Sequence, residues 1–127
     1  MRNNLHLYHM MVRQLVQWLP DERVTRHRNL ALLVIGLYLG ASVHLAMIVR
    51  RWPVAGQLPS LVNRLHRSLC NEFVSPQGWY QPVARYLLTC LSHQRLRLVI
   101  DTTQVGFGHQ ALVVAVAHRR RTLPLAW

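Results

Sequence analysis

Lysine is absent from this chain of 127 residues, and acidic residues nearly so. Four Asp and Glu stand against fifteen basic residues, all of them Arg, for a formal net charge of +11. Such a balance excludes a polycationic or strongly basic partner and favours polyanions, nucleic acid first and an anionic membrane surface second. Arg suits phosphate because its planar fork binds two oxygens at once and stays protonated. Cysteine is scarce too: Cys70 and Cys90 lie far apart and outside any CxxC spacing, which excludes a disulfide framework or zinc knuckle and fits a reducing, intracellular setting. No GxxxxGK[ST], GxSxG or HExxH pattern occurs, nor any internal repeat or low-complexity segment, and nothing points to a small-molecule substrate. The first twenty residues lack a small-residue cleavage site and carry His6, His9 and Arg13, so a secretory signal is not expected.

What is present reads as helices to about residue 92 and as strands from 93 to 127, an α+β chain. Leu5, Tyr8, Val12, Leu15 and Leu19 recur at helical spacing until Pro20 closes the run. Asp21-Glu22 then offers a helix start with acidic residues where the dipole favours them. Arg23, Arg26 and Arg28, with His27 among them, form a basic stretch. Residues 30–49 are free of formal charge and long enough to span a bilayer, with Gly36 and Gly40 at GxxxG spacing. Ser42 and His44 near the middle, and a break at Gly40-Ala41-Ser42 with Ser42 as an N-cap, instead favour two buried core helices. A small basic protein crossing the membrane once is the competing reading.

Ser60 is expected to cap an amphipathic helix that buries Leu61, Val62, Leu65 and Leu69. Asn63, Arg64, Arg67 and Asn71 would point outward, a pattern suited to DNA contact or simply to water. With the short helix before it, this one is a helix-turn-helix candidate. Ser75-Pro76-Gln77-Gly78 reads as a turn, and 79–91 as a helix with its stripe on Tyr80, Val83, Ala84, Leu87, Leu88 and Leu91. His93-Gln94-Arg95 is the expected hinge. Three strand-like runs follow, 96–100 ending in Asp101, 110–117 and 122–127, linked by Gly106-Phe107-Gly108 and by His118-Arg119-Arg120-Arg121. Links this short require an antiparallel meander. Pro124 belongs on an edge strand, so the order is third, second, first, with one side of the first strand free. His109 and His118 flank the second strand and read as ordinary surface histidines rather than metal ligands.

The stretch IDTTQVGFGHQALVVAVAHRRRTLPLAW resembles the opening of the catalytic domain of insertion-sequence DDE transposases, and residues 26–69 are similar to the helical DNA-binding region that precedes it. The resemblance implies a helical DNA-binding region over 1–92, joined at 93–127 to the first three antiparallel strands of an incomplete ribonuclease-H-like domain. It implies Asp101 as the first of three catalytic, metal-binding carboxylates, Mg²⁺ as the cofactor of the complete protein, transposon-end DNA as partner, and a place with the bacterial nucleoid in the cytoplasm. The second Asp and the Glu would lie beyond Trp127, so this chain by itself is expected to bind DNA without cutting it. Arg50, Arg51, Asn63, Arg64 and Arg67 are the expected DNA contacts, with Arg119, Arg120 and Arg121 next. A homo-oligomer, and a free-standing DNA-binding regulator of transposition, are also compatible with these residues.

Overall fold

The structure, a computed structural model, describes residues 2–91 and 95–127. Helices α1 (Arg2–Trp18), α2 (Val24–Gly40), α3 (Leu45–Val49), α4 (Leu58–Leu69) and α5 (Pro76–Leu91) precede strands β1 (Arg97–Gln104), β2 (Gln110–His118) and β3 (Arg121–Ala126). The chain is therefore α+β, as its patterning indicates. It divides into two compact units, Met1–Phe73 and Val74–Trp127. This division differs from the boundary expected at 92/93, because α5 packs on β3 and belongs with the sheet. Of the expected hinge, His93 and Gln94 lie outside the described residues.

In the first unit, Leu32, Ile48, Val49, Trp52 and Leu65 form the core, so α2, α3 and α4 converge on one another. Helix α1 lies along α2 with Leu15 buried and Tyr8 against the core. The turn after Pro20 is pinned from both sides. His27, buried in α2, donates through Nε2 to the Leu19 carbonyl at 2.8 Å, which places its proton on that nitrogen. The Glu22 carboxylate accepts the Arg23 amide at 3.1 Å and pairs with Arg26 at 2.6 Å, a negative group at the start of α2 where the helix dipole favours one.

The apolar run 30–49 folds into two helices. Ala41 takes a left-handed conformation (φ 46°) and its amide bonds the Leu37 carbonyl, which ends α2. The N-cap of α3 is His44 rather than Ser42, because the Ser42 hydroxyl captures the His44 amide at 3.2 Å and delays the helix. No helix among the described residues is long and apolar enough to cross a membrane. Gly36 and Gly40, the GxxxG pair, serve an intramolecular contact. A Cβ at Gly36 would meet Ile48 and Trp52, and one at Gly40 would meet Met47.

Helix α4 starts at Leu58, earlier than expected, with Gln57 as N-cap and Pro59 in the first turn. Proline is tolerated there because first-turn amides have no helical partner to lose. Ser60 is thus a helical residue and not the cap. Leu65 is buried and Leu61 and Val62 half-buried, but Leu69, expected inside, is 52% exposed at the end of the helix.

In the second unit, Ser75-Pro76-Gln77-Gly78 is not a free turn. Ser75 lies at the helix start, its hydroxyl accepting the Gly78 amide at 3.1 Å and its carbonyl the Trp79 amide at 2.9 Å, with Pro76 as the first residue of α5. Pro82 therefore falls inside α5 and cannot donate to the Gly78 carbonyl. The sheet order is β1-β2-β3, antiparallel, with β2 central and β1 free along one side. Among the β2 residues only Ala115 and Val116, beside a bulge at Val114/Ala115, are buried. The two-sided burial expected for β2 is thus confined to this pair, and Leu112 is 58% exposed.

Tyr80 ties α5 to β3. Its hydroxyl donates to the Pro124 carbonyl at 2.6 Å, and its ring lies 5.1 Å from that of Trp127. Burial raises the Tyr80 pKa. A raised folded-state pKa means that the folded chain holds this proton more tightly. The resulting stability is complete below the ordinary tyrosine value of about 10 and is lost as pH rises through the raised one. The phenolate also loses its bond to Pro124. Tyr80→Phe is expected to cost about 0.5–1.5 kcal/mol at neutral pH and to flatten part of the fall in unfolding free energy above pH ~10. Exposed Tyr86, raised chiefly by its hydrogen bond to Cys90 and also by the electrostatic interaction with the same residue, titrates in both proteins. Urea melts of wild type and Tyr80→Phe at several pH values therefore isolate Tyr80; parallel pH profiles would refute its role.

Candidate nucleic-acid interface

In the first unit the expected contact residues lie at the end of α3 and along α4. Arg50 and Arg51 follow α3 and are exposed. Asn63 and Arg67, one helical turn apart, share an exposed face of α4. Arg64 is exposed by area but committed within the fold: its Nε donates to Asn29 Oδ1 of α2 at 3.0 Å, and its guanidinium carbon stands 5.7 Å from the centre of the Trp52 ring. A guanidinium stacked on an aromatic face and bonded through one nitrogen braces α4 on α2. Asn71 has left the helix, and its carboxamide oxygen accepts the Phe73 amide at 3.1 Å. The basic stretch at the start of α2 is split as well: Arg23 and Arg28 face solvent, while Arg26 and His27 are used internally.

These helices do not make a helix-turn-helix. Helix α3 has 5 residues, and the connection from Arg50 to Gln57 exceeds the three or four residues typical of that motif. What they expose is a set of Arg side chains around the end of α3 and along the open face of α4.

In the second unit, Arg119 and Arg120 form the tip of the β2–β3 hairpin and Arg121 opens β3, all exposed. Arg119 has φ 54°. Pairing of Arg97 with Ala117 brings Arg97, also exposed, alongside this tip. Arg97 was not singled out from the sequence. Counting the antiparallel register back from the Gly106–Gly108 hairpin would have found it.

Asp101 does not end the first strand. It lies within β1 opposite Val113, and the strand runs on to Gln104, because Thr102 and Thr103 are β-branched and the tight turn begins only at Val105. The carboxylate is exposed, and its Oδ1 accepts the Thr102 amide at 2.8 Å. His109 sits at the hairpin and His118 at the opposite end of β2. No group of three or more His, Cys, Asp or Glu suited to a metal occurs among the described residues. Octahedral Mg²⁺ needs several hard oxygen ligands, and two ions need a shared set. One carboxylate with one oxygen already engaged does not fit that pair.

Neither a protein-family model, nor a curated protein, nor a solved structure matches the chain.

Proposed function

We propose that this chain binds DNA through its phosphate backbone, as the helical region and first strands of a DDE transposase that engages transposon ends, in the nucleoid. The observation that carries the proposal is charge left uncompensated. Every Arg from Arg13 onward except Arg26 is exposed, and Arg26–Glu22 is the one side-chain ion pair among the described residues. Arg50, Arg51 and Arg67 in one unit and Arg119, Arg120 and Arg121 in the other supply the phosphate contacts, with Asn63 placed to reach a base edge. Arg64 acts by holding α4 in place. By the resemblance, Asp101 corresponds to the first carboxylate of the ribonuclease-H-like pattern.

Phosphate contacts release condensed counterions, so affinity should fall steeply with salt. For six to ten contacts a log–log slope of about −5 to −9 is expected, a loss of roughly 10³- to 10⁵-fold between 50 and 200 mM. Fluorescence anisotropy of a labelled duplex measured across a salt series checks this. Absence of binding at low salt, or affinity indifferent to salt, would overturn the proposal.

A further inference from the structure

The sheet has two edges, and only one of them is protected. Strand β3 has 6 residues and carries Pro124, which has no amide to donate to an added strand. Strand β1 has 8 residues, no proline and no glycine, and every residue of it is exposed, including Leu98 at 59%, Val99 at 38% and Ile100 at 67%.

The hydrogen-bond pattern shows which groups of β1 are open. In an antiparallel ladder, alternate residues direct their amide and carbonyl toward the neighbour and away from it. The Val105 amide donates to the His109 carbonyl at 2.8 Å, so the odd-numbered residues of β1 face β2. Leu98, Ile100 and Thr102 therefore present their backbone groups to the open side. In agreement, the Thr102 amide is taken by Asp101 Oδ1 instead of by β2.

These constraints select one partner and one register. The geometry points to a second copy of this chain, joined β1 to β1 in antiparallel fashion about a two-fold axis through Val99, so that the sheets of both copies become continuous. In that register Leu98 of each copy faces Ile100 of the other, and each pair exchanges both backbone hydrogen bonds. Arg97 faces Asp101 on both sides of the axis, and opposite charges on directly opposed residues favour pairing. Val99 meets its own copy between them, and Leu98 and Ile100 cover one another on the other face. The occupied Thr102 amide is not required. Moving the axis to Ile100 sets Leu98 against Thr102, whose amide is occupied, and takes Asp101 away from Arg97. Moving it to Leu98 sets Arg97 against Val99 and leaves Asp101 opposite Arg95, which precedes β1 and lies outside the ladder. Parallel addition places Arg97 beside Arg97 and Asp101 beside Asp101, and like charges on neighbouring positions disfavour it.

The inference is independent of DNA binding and is tested without DNA. Opposed residues that do not share hydrogen bonds have Cα atoms about 4.5 Å apart, within disulfide range. With the exposed thiols removed as Cys70→Ser and Cys90→Ser, Val99→Cys should oxidise to a covalent dimer, while Thr103→Cys, distant from its own copy in this register, should remain monomeric. Light scattering of the otherwise unaltered full chain should give twice the monomer mass. Arg97→Asp alone or Asp101→Arg alone sets like charges opposite each other twice and should weaken the dimer at least tenfold, and the combined exchange should restore it. Equal cross-linking of Val99→Cys and Thr103→Cys would overturn the inference. So would single reversals that leave the mass unchanged, a combined exchange that fails to rescue, or an open series of higher assemblies.

Discussion

Gly36→Ala is expected to destabilise the helical unit by about 2 kcal/mol, although alanine is the better helix former. Two effects oppose each other at this position. Removing glycine from a helix interior gains roughly 0.8–1 kcal/mol of propensity. The new Cβ, however, would fall on Ile48 Cγ2 and 2.8 Å from the Ile48 carbonyl oxygen, with Trp52 Nε1 at 3.1 Å. Ile48 and Trp52 are buried, and the carbonyl belongs to the backbone of α3, so relief requires α3 to move off α2 and to carry Val49 and Trp52 with it. Overpacking of this kind costs typically about 1–3 kcal/mol, and backbone involvement puts it at the upper end. The clash therefore outweighs the propensity. Gly40→Ala serves as the control: its Cβ would stand 3.4 Å from the Met47 carbonyl oxygen, an ordinary contact, and the change should be close to neutral. Urea denaturation followed by far-ultraviolet circular dichroism ranks the three proteins. Gly36→Ala at or above wild-type stability would show that α2 and α3 do not pack this way.

The second large effect concerns the hairpin tip. Arg119→Gln, Arg120→Gln and Arg121→Gln together remove three charges while keeping polar side chains, and leave the positive φ at position 119 on a non-glycine residue as before. If each Arg neutralises one phosphate, the log–log salt slope should become shallower by about 3, and affinity near 0.1 M salt should fall by roughly two orders of magnitude. The loss should be uniform across DNA sequences, because phosphate contacts carry no base information. Arg64→Gln provides the contrast. It breaks the bond to Asn29 and the stacking on Trp52, so it should lower the stability of the helical unit and change the salt slope little. A slope unchanged by the hairpin triple variant would remove Arg119, Arg120 and Arg121 from the interface.

The candidate interface is partly legible in the sequence. Net charge and Arg usage suggest the class of partner, and the outward face of α4 was placed correctly for Asn63 and Arg67. Arg64 was not, because a helical wheel shows which side a residue occupies but not whether a neighbouring aromatic and carboxamide wait there. Asp101 was placed one structural step wrong. A carboxylate after a run of Leu, Val and Ile looks like the end of a strand, yet Thr102 and Thr103 continue the ladder to the glycine hairpin.

By itself the sequence determined the element types, the antiparallel meander and the sign of the electrostatic field. Those follow from periodicity, from links too short for a crossover, and from a count of charges. Helix starts at Leu58 and Pro76 escaped it because proline ends helices and also begins them, and only the amides actually bonded distinguish the two. Tertiary structure alone decided the fate of residues 30–49. Their charge-free length also serves a membrane span, although Ser42, His44 and the Gly40-Ala41-Ser42 break favour a buried helix pair. What separates the two is Ala41 in a left-handed turn and Gly36 leaving room for Ile48, which together let the run fold back on itself and bury its apolar faces against α4.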